Sequence, residues 1–374
     1  MTPESLFQTF QKNDLTFFSG VPDSTFKGWM SFLAAEHGRR LTQVIACNEC
    51  EAVAVAAGYH LATRKIGTVY MQNSGEGKTV NPLTSLCDRE VYAIPMILMI
   101  GWRGEPGKKD EPQHKKMGRI TVPLLEVLEI PHVHLPRDDD EAAAAVAQVK
   151  RIAESQRTPA ALIIREGTIE EFAAAKGGAT GGQMSREEAL QAIVDTLAEP
   201  DIVVATTGKT SRELFEYRVA KGQPPRDFYT VGSMGCAASI AHAIALAKPD
   251  RSVYAFDGDG ALLMQMGALA TIGYCRPANL RHIVFDNGAY DSTGGQPSTS
   301  SAVDFTAVAR ACGYPNAFTV RTASELRNVS AQIRHIPGPV MVVVKVRPGS
   351  RSNLGRPTTT PIENKERFME FVRS

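Results

Sequence analysis

The clearest chemical pattern in the sequence is a glycine-bounded aspartate, Gly258-Asp259-Gly260, followed by Asn287 after one further predicted strand. The predicted strands at 253–257 and 283–285 end just before these polar residues. If the strands are parallel neighbours, Asp259 and Asn287 lie together at one carboxyl edge, where open α/β sheets bind ligands. Carboxylate and amide oxygens suit Mg²⁺, and glycine N–H groups can approach a phosphate. The spacing therefore predicts a magnesium and phosphate site.

Two other glycine turns resemble nucleotide motifs but lack a required residue. Gly77-Lys78-Thr79 and Gly208-Lys209-Thr210 both end like a phosphate-binding loop, yet Gln72 and Val203 stand where its first glycine belongs. The turn at 258–260 is likewise followed by Leu263 instead of the third glycine of a dinucleotide fingerprint. Neither nucleotide motif is expected.

The elements that must position these turns occur twice along the chain. A helix is predicted at 5–12 with a strand at 15–19, and again at 186–197 with a strand at 202–205. Helices rich in small residues follow at 50–62 and 235–247, each before a strand and a glycine turn. Apolar strands are also predicted at 44–46, 96–100, 282–285 and 340–346. Alternating strands and helices indicate an α/β protein with two related open, mainly parallel-sheet domains.

A Gly/Ala-rich stretch separates the two halves. Residues 173–184 lack apolar periodicity and are predicted to be a linker between domains at 1–172 and 185–374. Ser185 with Glu188 three residues later forms a capping box that predicts the start of the next helix.

Composition excludes several classes of protein. The 374 residues include 41 basic and 40 acidic side chains, which argues against a nucleic-acid binder, and 43% are hydrophobic, enough to bury a core. No apolar run is long enough to cross a bilayer, and no secretory signal is recognised, so a cytoplasmic location is expected. Cys47 and Cys50 form a C-x-x-C pair, for which a redox role is an alternative, but no disulfide framework is expected.

The pattern at 258–287 resembles the thiamine-diphosphate-binding motif, with Asp286-Asn287 in place of the usual pair of asparagines. The resemblance implies thiamine diphosphate and Mg²⁺ as cofactors, with Asp259, Asn287 and the Ala289 carbonyl as metal ligands. It assigns the glycines of the turn, Gly258 and Gly260, to cofactor binding as well. The two halves are then a pyrimidine-binding domain followed by a diphosphate-binding domain, with no central third domain.

Further cofactor residues follow from the same resemblance. Asn48-Glu49, with the alanines before Gly58-Tyr59, is similar to the segment whose glutamate hydrogen-bonds the cofactor aminopyrimidine, so Glu49 is a catalytic candidate. Ser233-Met234 resembles the turn whose bulky residue supports the bent cofactor. The resemblance also implies diphosphate contacts at residues Thr207, Gly208 and Thr210.

Segments along nearly the whole chain resemble the phosphonopyruvate decarboxylase family, of which the sulfopyruvate decarboxylases are close relatives. They include 20–24, 71–75, 81–85, 101–107, 110–114 and 288–297. The resemblance implies non-oxidative decarboxylation of 3-phosphonopyruvate to phosphonoacetaldehyde and CO₂ in phosphonate biosynthesis. Sulfopyruvate or another anionic 3-substituted pyruvate is the alternative substrate, and a non-catalytic binding module is the alternative of a different class. Tyr290 stands where a histidine is expected.

The implied reaction gives further residues a role. Arg103, on a Gly/Pro-rich loop that is a candidate lid, is the expected phosphonate ligand, with a solvated loop charge as the alternative. His114 and Asp23 are expected to move protons. Additional substrate contacts are expected at Ser24, Asn73, Ser74 and Gln113. The resemblance also implies a homodimer or higher homo-oligomer with sites at the subunit interface, and no nucleic-acid or membrane partner.

Overall fold

The structure, a computed structural model, describes residues 1–172, 182–291 and 293–374. These residues fall into two compact units, with those up to residue 172 in the first and those from residue 182 onward in the second. Most of the predicted linker, 173–181, lies outside the described residues, but its last residue, Met184, belongs to a short strand instead. Among the described residues, no helix is both long and apolar enough to span a membrane.

The first unit is a parallel sheet covered by helices on both faces. Its strands are β1 (Phe17–Gly20), β2 (Thr42–Ile45), β3 (Gly67–Gln72), β4 (Met96–Gly101), β5 (His132–His134) and β6 (Ala160–Ile164). Its helices are α1 (Pro3–Lys12), α2 (Lys27–Glu36), α3 (Glu49–Thr63), α4 (Glu76–Ser85), α5 (Pro112–Val127) and α6 (Asp139–Gln156), with 3₁₀ turns at Ser24–Phe26 and Asn73–Gly75. The strand order is β2-β1-β3-β4-β6-β5.

Burial on both faces explains why the central strand β4 is apolar from Met96 to Ile100. Along β4 every residue is buried. Ile97 and Met99 pack in a cluster with Trp29, whereas Leu98 and Ile100 pack in a second cluster on the other face. Successive side chains of a strand point to opposite faces, so a two-sided core requires a continuous apolar run.

The second unit has the same kind of sheet. Its strands are β7 (Met184–Ser185), β8 (Ile202–Ala205), β9 (Phe228–Tyr229), β10 (Val253–Gly258), β11 (Leu280–Asp286), β12 (Ala289–Tyr290), β13 (Gln296–Pro297), β14 (Asn316–Val320) and β15 (Val340–Arg347). Its parallel sheet has the order β14-β15-β11-β10-β8-β9, with β7 paired to the end of β15. The pair β12–β13 forms a separate antiparallel hairpin.

The helices of this unit are α7 (Arg186–Val194), α8 (Lys209–Ala220), α9 (Ala237–Ala247), α10 (Asp259–Met264), α11 (Ala268–Cys275), α12 (Phe305–Ala311), α13 (Ala323–Ile333) and α14 (Pro361–Arg373), with a 3₁₀ turn at Thr299–Ala302. The capping box of Ser185 and Glu188 is present at the start of α7. Helix α9 begins two residues later than expected, because Gly235 has a positive φ of 89° that a helix does not accommodate. Two parallel-sheet α/β domains are therefore confirmed.

Candidate active site

Three polar side chains of the first unit come together at one edge of its sheet. Asp23 follows β1, Asn73 follows β3 and Arg103 follows β4. Because β3 pairs in parallel with both β1 and β4, their carboxyl ends meet at the same edge. This is the position at which an open α/β sheet binds ligands.

Asp23 is fully buried and only partly satisfied. Its Oδ1 accepts a hydrogen bond from Gln72 Nε2 at 2.7 Å, whereas Oδ2 has no hydrogen-bond partner among the described residues. Burial raises the pKa of Asp23 above its ordinary value. A Cβ atom at Gly101 would lie 1.9 Å from Oδ2, so glycine is required where β4 ends beside this carboxyl.

Asn73 fixes the loop that follows β4. Its Nδ2 donates to the Arg103 carbonyl at 2.8 Å and to Thr121 Oγ1 at 2.9 Å. Its Oδ1 accepts from the Arg103 backbone N–H at 3.2 Å. The amide is therefore engaged in holding the loop, and its predicted contact with substrate stays a prediction. The neighbouring Ser74 donates to Gln72 Oε1 at 2.8 Å.

Arg103 is paired within its own loop. Its Nε and Nη2 donate to Asp110 at 2.8 and 2.5 Å, and Nη1 donates to Ser24 Oγ at 3.0 Å. The hydrogen bonds with Asp110 raise the pKa of Arg103. Burial opposes ionisation of Asp110, but its bonds with Arg103 and the Gly104 N–H outweigh burial and lower the pKa of Asp110. Asp110 was missed by the sequence reasoning, although it stands in a segment that the resemblance includes.

His114 and Gln113 lie side by side at the start of α5. The His114 side chain is buried, and its Nδ1 has no partner among the described residues. Its Nε2 lies 3.3 Å from Gln113 Nε2, and Gln113 Oε1 is also without a partner in the described chain. Burial, assisted by the nearby Arg103, lowers the pKa of His114, so the ring is neutral near pH 7 and has free hydrogen-bonding capacity.

Glu49 begins α3, whose N-cap is Asn48. The residue is only 6% exposed, and Oε2 makes no hydrogen bond in the described residues. The ammonium group of Lys78 lies nearby, with Nζ 3.7 Å from Oε2. A Cβ atom at Gly75 would lie 2.5 Å from Glu49 Cγ, so the backbone at this glycine packs directly against the carboxyl side chain.

A second acid, Glu76, follows that glycine and begins α4. It is 3% exposed, and neither carboxyl oxygen has a hydrogen-bond partner in the described chain. Burial raises the pKa of Glu76 to about 8. The sequence reasoning missed Glu76, because an acid in the first turn of a helix is usually solvated and stabilised by the helix dipole.

In the second unit the structure confirms that the two turns of the glycine–aspartate pattern are neighbours. Strands β10 and β11 pair in parallel from Val253↔Leu280 to Gly258↔Phe285. Asp259 and Asn287, which follow these strands, are both buried at the same edge. Asp259 is the first residue of α10, so the turn leads directly into a helix.

The Asp259 carboxylate lies in a chain of hydroxyl groups. Ser298 donates to Asp259 Oδ2, and Ser298 and Ser300 are joined at 3.0 Å. Ser300 in turn donates to Asp286 Oδ1 at 2.9 Å, and Asp286 is paired with Lys345. Burial, with a smaller contribution from Asp286, raises the pKa of Asp259 to about 6.

The Asn287 amide has a defined orientation. Its Nδ2 donates to Asp291 Oδ2 at 2.8 Å, and its Oδ1 accepts from the Ala289 N–H at 3.0 Å. Ala289 is paired with Pro297 across the hairpin. Proline has no N–H, so Pro297 does not engage the Ala289 carbonyl.

The remaining predicted cofactor residues lie in turns around this edge. Gly208, with a φ of 95°, is the N-cap of α8, and Thr210 is the second residue of that helix. Thr207 Oγ1 accepts from the Gly232 N–H at 3.0 Å. Ser233, which follows, has a positive φ of 47°.

Met234 lies close to the glycine–aspartate turn. A Cβ atom at Gly260 would lie 3.3 Å from Met234 Cε and 2.7 Å from Tyr290 Cε1. The two side chains therefore leave too little room for a larger residue at position 260. The position of Met234 is compatible with its predicted role as a support for the cofactor.

The site residues of the second unit are suited to Mg²⁺, and those of the first unit are suited to a polar ligand. In the second unit a carboxylate, an amide oxygen and a backbone carbonyl provide hard oxygen donors suited to Mg²⁺. Groups of three or more His, Cys, Asp or Glu side chains that could hold another metal are absent from the described residues. In the first unit Asp23, Glu49, Gln113 and His114 keep buried polar atoms that have no hydrogen-bond partner among the described residues. Such atoms are normally satisfied, so they indicate a polar ligand.

Both halves of the chain match models of thiamine pyrophosphate (thiamine diphosphate) enzymes. Residues 2–122 match the N-terminal TPP-binding domain and residues 206–344 match the C-terminal TPP-binding domain. The fold and these two matches thus define a thiamine-diphosphate enzyme.

Relatives that align with almost the whole chain show to which family of thiamine-diphosphate enzymes it belongs. A phosphonopyruvate decarboxylase of Streptomyces viridochromogenes is 38% identical, covering 96% of this chain and 91% of its own length. One from Streptomyces hygroscopicus is also 38% identical, over 96% and 90%. A sulfopyruvate decarboxylase of Methanosarcina acetivorans is 28% identical, over 99% and 97%. The chain belongs to the phosphonopyruvate decarboxylase family of thiamine-diphosphate-dependent decarboxylases.

Proposed function

We propose that this chain is a Mg²⁺- and thiamine-diphosphate-dependent carboxy-lyase that converts 3-phosphonopyruvate into phosphonoacetaldehyde and CO₂. The observation that carries the proposal is the 38% identity to two phosphonopyruvate decarboxylases over 96% of the chain. Buried polar atoms of the first unit that have no hydrogen-bond partner in the described part of the chain support it from the structure, since a bound polar ligand would satisfy them.

Asp259, Asn287 and the Ala289 carbonyl would hold the Mg²⁺ ion. The N–H groups of the turn at 258–260 and the start of α8, with Thr207, Gly208 and Thr210, are suited to a diphosphate. Ser233 and Met234 are the proposed contacts to the body of the cofactor. When bound, thiamine diphosphate supplies the electron sink that allows CO₂ to leave.

Glu49 would hold the aminopyrimidine of the cofactor by a hydrogen bond to ring nitrogen N1′. Its exposure of only 6% keeps water from competing for that bond. His114 is neutral near pH 7, so it is suited to accept or pass on a proton at Nδ1. Asp23, whose pKa is raised by burial, is a second candidate for proton transfer, because a buried carboxyl with a raised pKa holds its proton more readily and can act as a general acid.

Arg103 would bind the phosphonate without leaving Asp110. A guanidinium has five N–H donors, and three of them are used in the bonds to Asp110 and Ser24. The remaining donors allow a charge-assisted contact with an anion. Ser24, Asn73, Ser74 and Gln113 remain the other proposed substrate contacts.

We also propose a homodimer or higher homo-oligomer in the cytoplasm. One copy would supply the glutamate of a site and another copy the metal-binding half. The proposal comes from the resemblance, and it is supported by the division of the site residues between the two halves of the sequence.

The deciding experiment compares 3-phosphonopyruvate, sulfopyruvate and pyruvate with purified protein, thiamine diphosphate and Mg²⁺. CO₂ and aldehyde release are measured for each substrate, and kcat/KM is expected to be highest for 3-phosphonopyruvate. A higher value with sulfopyruvate would favour the second candidate, which rests on the full-length sulfopyruvate decarboxylase relative. A preference for pyruvate would overturn both substrate assignments, and omission of the cofactor is the control.

A further inference from the structure

Asp291 lies one residue beyond β12 and makes an unusual number of contacts for a turn residue. Its Oδ2 accepts from Asn287 Nδ2 at 2.8 Å. The Gly349 backbone N–H lies 3.1 Å from each carboxylate oxygen, and Arg186 Nη1 lies 3.4 Å from Oδ2. The side chain is 10% exposed. Asp291 therefore links the turn that carries Asn287 to two other parts of the second unit.

The contact with Asp291 determines the orientation of the Asn287 amide, that is, on which side its nitrogen and its oxygen lie. An ionised carboxylate only accepts hydrogen bonds, so the amide atom that faces Asp291 has to be the nitrogen. The opposite end then has to be the oxygen, which accepts from the Ala289 N–H at 3.0 Å. Both neighbours select the same orientation, and that orientation directs the only metal-binding atom of the side chain away from Asp291.

Asp291 is itself held in place. Arg186 donates from Nε and Nη2 to the Glu213 carboxylate, both at 2.8 Å, and the Arg186 and Glu213 side chains are 8% and 1% exposed. This buried pair fixes the guanidinium that faces Asp291. Such rigid support is what a metal site needs, since the partners of metal ligands orient the ligands and tune their donor strength.

We propose that Asp291 is a positioning residue for the Mg²⁺ site, which holds the Asn287 amide with its carbonyl oxygen available to the ion. The inference rests on the proposed function, because it assumes that Asn287 is a magnesium ligand. Asp291 is poorly placed to be a ligand itself, since its oxygens already accept from Asn287, Gly349 and Arg186. Its effect on Mg²⁺ binding therefore passes through Asn287.

The test compares Asp291→Asn and Asp291→Ser with the wild-type chain. Mg²⁺ affinity is measured by calorimetry in saturating thiamine diphosphate, and the melting temperature is measured without ligands. Asparagine at 291 can donate as well as accept, so the Asn287 amide is free to turn over. Loss of such a supporting residue typically weakens metal binding roughly 10- to 100-fold, and both variants are expected to show a loss in this range that raised Mg²⁺ restores.

Two controls separate positioning from a general effect on folding. Asp195→Asn changes an exposed aspartate of the same unit that accepts from Tyr217, and it is expected to bind Mg²⁺ like the wild type. In an Asn287→Ala background, Asp291→Asn is expected to cause little further loss of affinity. A purely structural role of Asp291 would weaken Mg²⁺ binding by the same factor in both backgrounds.

Unchanged Mg²⁺ affinity in Asp291→Asn and Asp291→Ser, with normal binding by the wild type, would overturn this inference and leave the proposed function standing. An equal loss in the Asn287→Ala background would overturn it as well. A folded wild-type chain that binds no Mg²⁺ with thiamine diphosphate would overturn the proposed function, and the inference with it.

Discussion

Arg103 and Asp110 are joined by two parallel hydrogen bonds, from Nε to Oδ2 at 2.8 Å and from Nη2 to Oδ1 at 2.5 Å. The pair closes the loop between β4 and α5 and fixes the plane of the guanidinium. A fixed plane presents the remaining N–H groups in one direction, which is the property that distinguishes arginine from lysine in anion recognition.

Arg103→Lys is expected to raise the KM for 3-phosphonopyruvate. Lysine cannot form two parallel bonds to Asp110 and also contact the substrate in a fixed geometry. Hydrogen bonds to charged groups contribute about 1.5–3 kcal/mol, so the increase should be roughly 10- to 100-fold. Steady-state kinetics with 3-phosphonopyruvate and pyruvate would show whether the effect depends on the phosphonate.

The matched control is Lys109→Ala, which removes an exposed cation from the same loop. An equal rise in KM for Lys109→Ala would mean that the loop attracts anions by its general charge. In that case the assignment of the phosphonate to Arg103 would be wrong.

Glu49→Gln and Asp259→Asn are expected to fail in different ways. Glu49→Gln should retain thiamine diphosphate binding but lose activity by roughly 10²- to 10⁴-fold, the usual contribution of a positioned acid–base group. Asp259→Asn should lose affinity for Mg²⁺ and the cofactor, because a charged hard ligand is removed. Calorimetric titration of the cofactor and single-turnover CO₂ release distinguish the two. Full turnover by Glu49→Gln would exclude the proposed role of this residue.

Mixing these two inactive variants tests the proposed oligomer. If each site combines Glu49 of one copy with Asp259 of another, hybrid oligomers contain some sites with both residues intact. Activity should then return after the variants are mixed under conditions that allow subunit exchange, and sedimentation should give at least a dimer. Each variant incubated alone is the control. A monomer, or an exchanged mixture that stays inactive, would count against a shared site.

Glu76 should make the folded state less stable as pH rises. Burial raises the pKa of Glu76 from 4.5 to about 8, so the folded chain binds more protons than the unfolded chain between these values. The contribution of Glu76 to the free energy of unfolding is therefore fully present below about pH 4.5 and is lost as pH rises through about 8. Glu76→Gln cannot ionise, so its free energy of unfolding relative to the wild type should improve by up to about 1.4 kcal/mol per pH unit across this window.

Urea unfolding at pH 5.5 and pH 8.5 measures this difference. Glu141→Gln, which changes an exposed acid in the first turn of α6, is the matched control and should show no such trend. Parallel behaviour of Glu76→Gln and the wild type at both pH values would show that Glu76 is not buried as a neutral group.

The sequence was most informative where polar residues follow the ends of predicted strands, because the direction of each strand then determines where those residues lie. The meeting of Asp259 and Asn287 follows from two apolar runs that were expected to be parallel neighbours, and the register of β10 with β11 confirms that they are. The two-domain fold follows from the same alternation of strands and helices. These conclusions needed no knowledge of side-chain contacts.

The residues that were missed depend on contacts between distant segments or on loop conformation. Glu76 has the sequence signature of a solvated first-turn acid, and only the packing around α4 shows that it is buried. Asp110 and Asp291 lie in turns whose shape determines what their carboxylates reach, so their pairing with Arg103 and Asn287 could not be deduced from spacing.

The packing around Gly260 has a consequence for any attempt to redesign substrate preference. Tyr290 and Met234 both approach the space beside this glycine, at 2.7 and 3.3 Å from the position of a Cβ atom. A library that varies Tyr290 would therefore also change the support of the turn that carries Asp259. Selected variants should be screened for cofactor retention alongside turnover, because a gain on a new substrate and a loss of holoenzyme would arise from the same substitution.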